Sequence, residues 1–474
     1  MLKIYLKYSL LVLLCQSCAT SNYRGAYDFE VPKVFEDFRK SNTSLVENPE
    51  LKRTRKVFIK DAMLNTIIDS VLSKNYNLLI ALKSIEKFEQ RFKQSKAANI
   101  PKIQLAIVAS KNDFSDNSLN GSQGFNLENS LGKDYVEYYL AEIDLNWEPD
   151  IWLKNKNSKK VAIARWLKEQ EVLKKLKIDL VQKTVDAYYD VLLIDSKLDI
   201  ANKNLALSDS IYRTVKIKKE FGYGNELEVQ QALCQVLEIQ DLLQVLANEK
   251  ILRNNGLSIL LSETNHSFKI NGRLNDFKFN ENLYLGTPNE LLVNNPSVRE
   301  NVLEFEKSGY LSAKASSNRF PNLNVGLTTG LNSFQSGNWF SLPGSFFNTI
   351  ASSVTQPLLN GKLLKTEYEI SKIEVDQSIL AVNEKLLNTT VEVSTKLNTY
   401  KSVKKSLENN TKELNVLEKA IMNASLLYKE GEIDYVQVLL VQQNLLNTQI
   451  KSLEIHKNLI ETYISIYTLI GFDT

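Results

Sequence analysis

Few residues in this chain could do chemistry. It holds two histidines, His266 and His456, three methionines, and three cysteines, Cys15, Cys18 and Cys234. The histidines are isolated, so each reads as structural or exposed, and a transition-metal site has little to build on. No Gly-rich phosphate loop and no HExxH pair occurs. Cys234 falls in a helical pattern, where a buried and inert thiol is the usual case. No cofactor and no catalysis are expected. Cys18 stands apart. Lys3 and Lys7 precede the apolar run Leu10 to Leu14, and Ser17-Cys18 closes it. That run is too short to span a bilayer and reads as a signal over 1–17. The pattern predicts thioether lipidation of Cys18 after cleavage, although Cys15 is atypical three positions before it. The alternative is an ordinary secretory signal. With two cysteines in that segment, no internal disulfide framework is expected in the mature chain.

The elements that follow are punctuated twice in the same way. Trp147 to Leu153 reads WEPDIWL, and Gln356 to Gly361 reads QPLLNG. Pro fixes φ and lacks an N–H, so it suits a strand end or the residue ahead of a helix. Trp147, Pro149, Pro357 and Gly361 are therefore candidate strand-to-helix corners. After each corner comes a long stretch without Gly or Pro, from Asp150 to Phe221 and from Lys362 to Glu430. Leu176, Leu180, Ala187, Val191, Ile194 and Leu198 recur at helical steps, as do Val436, Leu439, Leu446, Ile450 and Leu453, like coiled-coil seams. Residues 155–218 as one helix would extend roughly 100 Å. Gly222 and Gly431 mark the points where the long helices reverse.

Ahead of each corner lie alternating runs. Ile103, Leu105, Ile107 and Ala109 alternate with polar neighbours, as do Tyr139, Ala141, Ile143, Leu145 and Trp147, and then Leu323, Val325 and Leu327. Four strands are expected at 101–112, 135–149, 321–332 and 346–357. Such alternation suits a lipid-facing barrel with a wet lumen; a soluble half-buried sheet is the alternative. Asn75 faces Asn295, and Pro101 faces Pro321, at one common offset. This suggests two copies of a helix–strand–strand–helix unit, at 58–262 and 289–474. A polar arm at 18–57 would precede them, and a connector at 263–288, broken by Gly272, Gly286 and Pro288, would join them. Net charge is +3 with 24% charged residues, so nothing points to nucleic acid.

These landmarks resemble the TolC-type outer-membrane efflux proteins, in particular their lipoprotein branch of outer-membrane factors. WEPDIWL, QPLLNGK, NNPSVRE (Asn294 to Glu300) and YKEGEIDYVQVLLVQQNL (Tyr428 to Leu445) match family stretches in order. Asn295 replaces a family Arg, and Leu153 replaces a Gly. The resemblance implies a mainly α fold with membrane β: a long α-helical coiled-coil barrel plus a trimeric 12-stranded transmembrane β-barrel, with two structural repeats per chain. It implies a homotrimer in outer-membrane lipid, docked to a periplasmic adaptor and an inner-membrane pump. It also implies a periplasmic gate. Tyr428 occupies the family position of a tip-closing Tyr, and Glu228 that of an acid after the first tip glycine. Gln437 and Leu440 stand where some members carry an acidic ring. A protein-secretion duct shares every feature; a non-channel surface lipoprotein with a coiled-coil stalk would have no barrel.

Overall fold

The computed structural model describes Arg55 and residues 59–115, 117, 135–264, 274, 277 and 294–471. The expected signal, Cys18, the arm apart from Arg55, His266 and most of the connector lie outside these residues. The elements in order are α1 (Ala62–Lys74), α2 (Tyr76–Lys96), β1 (Lys102–Asp113), β2 (Tyr135–Trp147), α3 (Lys154–Glu220), α4 (Glu226–Leu260), α5 (Pro296–Ser317), β3 (Asn322–Ser333), β4 (Phe346–Thr355), α6 (Leu363–Glu430) and α7 (Tyr435–Ile470). The chain forms two compact units, and each draws on both halves of the sequence. No helix among the described residues is long and apolar enough to cross a membrane.

The first unit takes residues 87–166 and 303–379. Its centre is one antiparallel sheet in the order β1-β2-β3-β4. Alternation fixes the register, since a one-residue slip would turn every side chain to the other face. Ile103 pairs with Leu145 and Leu105 with Ile143. Leu145 pairs with Leu327, and Leu327 with Ile350. The strands leave the sheet through the two corners. At the first, the Asp150 carboxylate accepts the backbone N–H groups of Asn155 and Lys156, both at 2.8 Å. It thereby caps orphan donors at the start of α3. Leu153, where the family has Gly, has a positive φ of 61°. At the second corner Gly361 and Lys362 both have positive φ, 61° and 65°. A left-handed non-Gly residue costs roughly 1–2 kcal/mol, which explains the family preference for Gly at the first corner.

The second unit takes the helices from residue 167 to 302, from 380 to the C-terminus, and α1 with the start of α2. Its main core joins Val181, Val185 and Tyr188 of α3 to Leu64 and Ile68 of α1, Leu257 of α4 and Ile460 and Ile464 of α7. The Tyr188 hydroxyl donates to the Asp61 carboxylate at 2.7 Å. Two asparagines brace this unit identically. The Asn75 side-chain oxygen accepts from Asn77 N and Leu78 N, and its amide donates to the Leu260 carbonyl at 2.9 Å. The Asn295 oxygen accepts from Ser297 N and Val298 N, and its amide donates to the Leu469 carbonyl at 2.7 Å. Each asparagine caps one helix start and satisfies the end of another. An Arg at 295 cannot accept those N–H bonds, so the departure from the family pattern changes what this position does.

Both asparagines are buried. Asn295→Ala should therefore lower thermal stability by the equivalent of about 1–2 kcal/mol, a lost cap. Asn295→Asp should recover the cap while leaving the Leu469 carbonyl unpaired. A melting curve for Asn295→Ala that overlays the wild type would contradict this role.

Candidate functional site

Two places could do work, one in each unit. The first is the sheet. Its apolar face carries Ile103, Leu105, Ile107, Ile143, Leu327, Phe346, Ile350 and Val354, all exposed. Ile350 keeps 80% of its surface and Leu105 71%. Trp147 lies on the same face at its helix-proximal end, and its indole N–H donates to the Asn99 carbonyl at 3.1 Å. Trp152 stacks on Phe320 at 4.7 Å and donates to the Pro321 carbonyl at 2.8 Å. Aromatic rings at the end of an apolar band suit a membrane–water interface. The other face is polar: Gln104 pairs with Asp144, Asp144 with Thr328, and the Thr328 hydroxyl donates to Asp144 at 2.9 Å. Gly330 belongs to that face, where a Cβ would meet the Ala141 carbonyl at 2.2 Å. Pro149 and Pro357 follow their strands, and Gly361 precedes α6.

The second place is the tip of the helical unit, where α3 turns into α4 and α6 into α7. Gly222 (φ 78°) and Gly431 (φ 81°) take the left-handed conformation that lets each long helix end. The bonds from Tyr223 N to the Lys218 carbonyl and from Glu432 N to the Leu427 carbonyl close both turns. Tyr428 is the hub. It is 4% exposed, and its hydroxyl donates to Glu228 Oε2 at 3.2 Å. Lys218 Nζ donates to the Tyr428 carbonyl at 2.5 Å and lies 4.3 Å from the ring centroid. Tyr435 packs edge-on at 6.0 Å. Asn225 caps α4 by accepting from Glu228 N at 3.0 Å, and its amide donates to the other Glu228 oxygen at 3.3 Å. Burial, then the Glu228 charge, pushes the Tyr428 phenol above its ordinary range, so it stays a donor. Burial pushes Tyr435 up to about 12.

The structure thus brings Tyr428 and Glu228 together, but not Gln437 or Leu440. Both of these are exposed on α7. Sequence reasoning missed Lys218 and Asn225. Asn225 had a readable signal, a polar cap just ahead of Glu226; Lys218 had none, because its partner lies in the other half of the chain. Cys234 is a correction: it is exposed rather than buried. Leu233 and Leu237 beside it are exposed as well, so this face of α4 has no neighbour among the described residues. His456 is part-buried, and burial lowers its pKa.

A sheet with one apolar and one polar face, in a chain that also has long helical hairpins, is the pattern of an outer-membrane β protein with a helical extension. The family model for outer membrane efflux proteins matches residues 67–261 and 287–472, and the chain belongs to that family. It is similar to the probable outer membrane lipoprotein SilC of Salmonella typhimurium, 23% identical, covering 93% of this chain and 92% of that protein. It is similar to the cation efflux system protein CusC of Escherichia coli K12, 21% identical, covering 96% and 98%. A solved structure of CusC superposes with a TM-score of 0.81 at 19% identity, covering 91% of this chain and 96% of that one. The protein is an efflux channel of the outer membrane, a transporter and not an enzyme.

A double-mutant cycle of Tyr428→Phe and Glu228→Gln should give a coupling of about 0.5–1.5 kcal/mol, that of one net hydrogen bond. The readout is hydrogen exchange at the Gly431 and Glu432 amides. Strict additivity would show that the two side chains do not act together.

Proposed function

We propose that three copies of this chain close a twelve-stranded barrel and serve as the exit duct of a tripartite efflux system. The observation that carries this is the sheet itself. It has four strands, with β1 and β4 as its edges. The smallest membrane barrels have eight strands. An open edge in lipid leaves backbone groups unpaired at several kcal/mol each, so β1 of one copy must pair with β4 of the next. Three protomers give a closed barrel whose apolar face meets lipid and whose polar face lines a wet lumen. In this reading an inner-membrane pump supplies the energy and a periplasmic adaptor couples the two. The reading favours small molecules or ions as cargo, with pump and adaptor choosing among them.

A duct between compartments must close when no pump is docked. In this reading the tip is the gate: the Tyr428 hub ties the α6–α7 hairpin to the α3–α4 hairpin within each protomer. Each link is weak alone, about 0.5–1.5 kcal/mol, but three copies bias the ring toward closure. The exposed Gln437 and Leu440 would narrow the bore. An adaptor could open it only through contacts that favour the splayed state. Cys18, acylated, would tether the chain beside the barrel; several acyl chains hold where one binds marginally.

Detergent-solubilised protein should have the mass of three chains. It should conduct poorly in a planar bilayer, and Tyr428→Phe with Glu228→Ala should conduct clearly more. A stable monomer would sink the barrel, and unchanged conductance would move the gate elsewhere. Metabolic labelling with a fatty-acid analogue should mark the wild type and not Cys18→Ser; equal labelling would remove the anchor.

A further inference from the structure

The helices just below the sheet carry a feature that export does not use. A groove of about 200 Å³ opens between α2, α3 and α5, lined by Phe88, Arg91, Val161, Arg165, Leu311 and Lys314 with Ser158 and Ala162. All of these belong to the sheet-bearing unit. Three lining residues are cations and none is a carboxylate. Of the acids nearest in sequence, Glu89 pairs with Lys93, and Glu169, four residues after Arg165, and Glu306, five before Leu311, are not among the lining residues. The Arg91 guanidinium rests 5.6 Å from the Phe88 ring centroid, which holds it at the groove wall. Between the cations the floor is hydrocarbon, from Phe88, Val161 and Leu311. Cations over an apolar floor suit a ligand that is an anion at one end and apolar at the other.

The depth of the groove is fixed by chain position. Its residues lie on the last turns of α2 and α5 before β1 and β3, and on the first turns of α3 after β2. Ser158 to Arg165 follow the start of α3 by roughly 6–17 Å at about 1.5 Å per residue. Strands of 10–13 residues at the usual tilt match a hydrocarbon core of about 30 Å. The groove therefore opens at the helix-side border of the headgroup layer, about 5–7 Å thick, within reach of its long cationic side chains.

We propose that this groove binds the phosphate headgroup of an anionic phospholipid, of the phosphatidylglycerol type, in the helix-side leaflet. The cations grip the phosphate, Arg in bidentate fashion, and the apolar floor takes the headgroup's own glycerol carbons. The proposal rests on the sheet lying in the membrane, but not on conductance or gating.

The test is native mass spectrometry of the full-length protein in detergent, offered equal phosphatidylglycerol and phosphatidylcholine with matched chains. Phosphatidylglycerol adducts should dominate. Arg165→Gln should cut the preference roughly fivefold, the usual worth of one interfacial cation, and Arg91→Gln/Arg165→Gln/Lys314→Gln should abolish it. Arg91→Lys/Arg165→Lys, which keeps the charge but loses the bidentate fork, should retain only part of it. Lys404→Gln/Lys412→Gln/Lys419→Gln, with the same charge loss elsewhere, should leave it intact. A preference that survives the groove substitutions, or falls equally in the control, would overturn the site. Displacement of the lipid by millimolar glycerol 3-phosphate or inorganic phosphate would show a water-soluble occupant and overturn the lipid.

Discussion

The backbone hydrogen bonds at the edges of the sheet constrain everything else in this protein. Inside the sheet each strand finds its partner, and the register keeps apolar residues on one face across all four strands. At β1 and β4 no partner exists among the described residues. In water that would be tolerable; beside hydrocarbon it is not. The exposed Ile103, Leu105, Ile350 and Val354 suit lipid, and a sheet in lipid would need closure. The proposed assembly rests on that need.

The strand-to-helix corners carry that constraint into the helices. Each must turn the chain within a few residues while every freed N–H finds a partner. Asp150 does this at the first corner with both carboxylate oxygens. The backbone is left-handed at Leu153, Gly361 and Lys362, and two of these residues are not glycine. At the far end Gly222 and Gly431 perform the reverse turn without strain. Asn75 and Asn295 fix helix starts against helix ends within the helical unit.

Much of this was legible in the sequence because it is local. Alternation located the strands to within two residues, Pro and Gly located the corners and tips, and the uninterrupted helical periods located α3 and α6. What was not legible is what depends on the third dimension. Nothing near Lys218 announces that its ammonium reaches a carbonyl in the other half of the chain. The burial of Asn295 against Leu469 is equally silent, although its cap position is not. Leu153 looked like a simple departure from a Gly and proved to be a left-handed residue. Cys234 read as buried because a thiol on a helix face usually is, yet that face of α4 has no partner among the described residues. The groove at Arg91 and Arg165 escaped notice because its three cations come from three separate helices.

The central claim is that β1 of one copy pairs with β4 of the next. Its most direct test is disulfide trapping across that seam in a Cys234→Ser background. Cysteines at 103, 105 or 107 would be combined with cysteines at 350, 352 or 354, and membranes oxidised before denaturing electrophoresis. At least one combination should run as a covalent trimer, while every single-cysteine parent should not. Outer-membrane-localised protein that yields no covalent trimer from any combination would contradict the account.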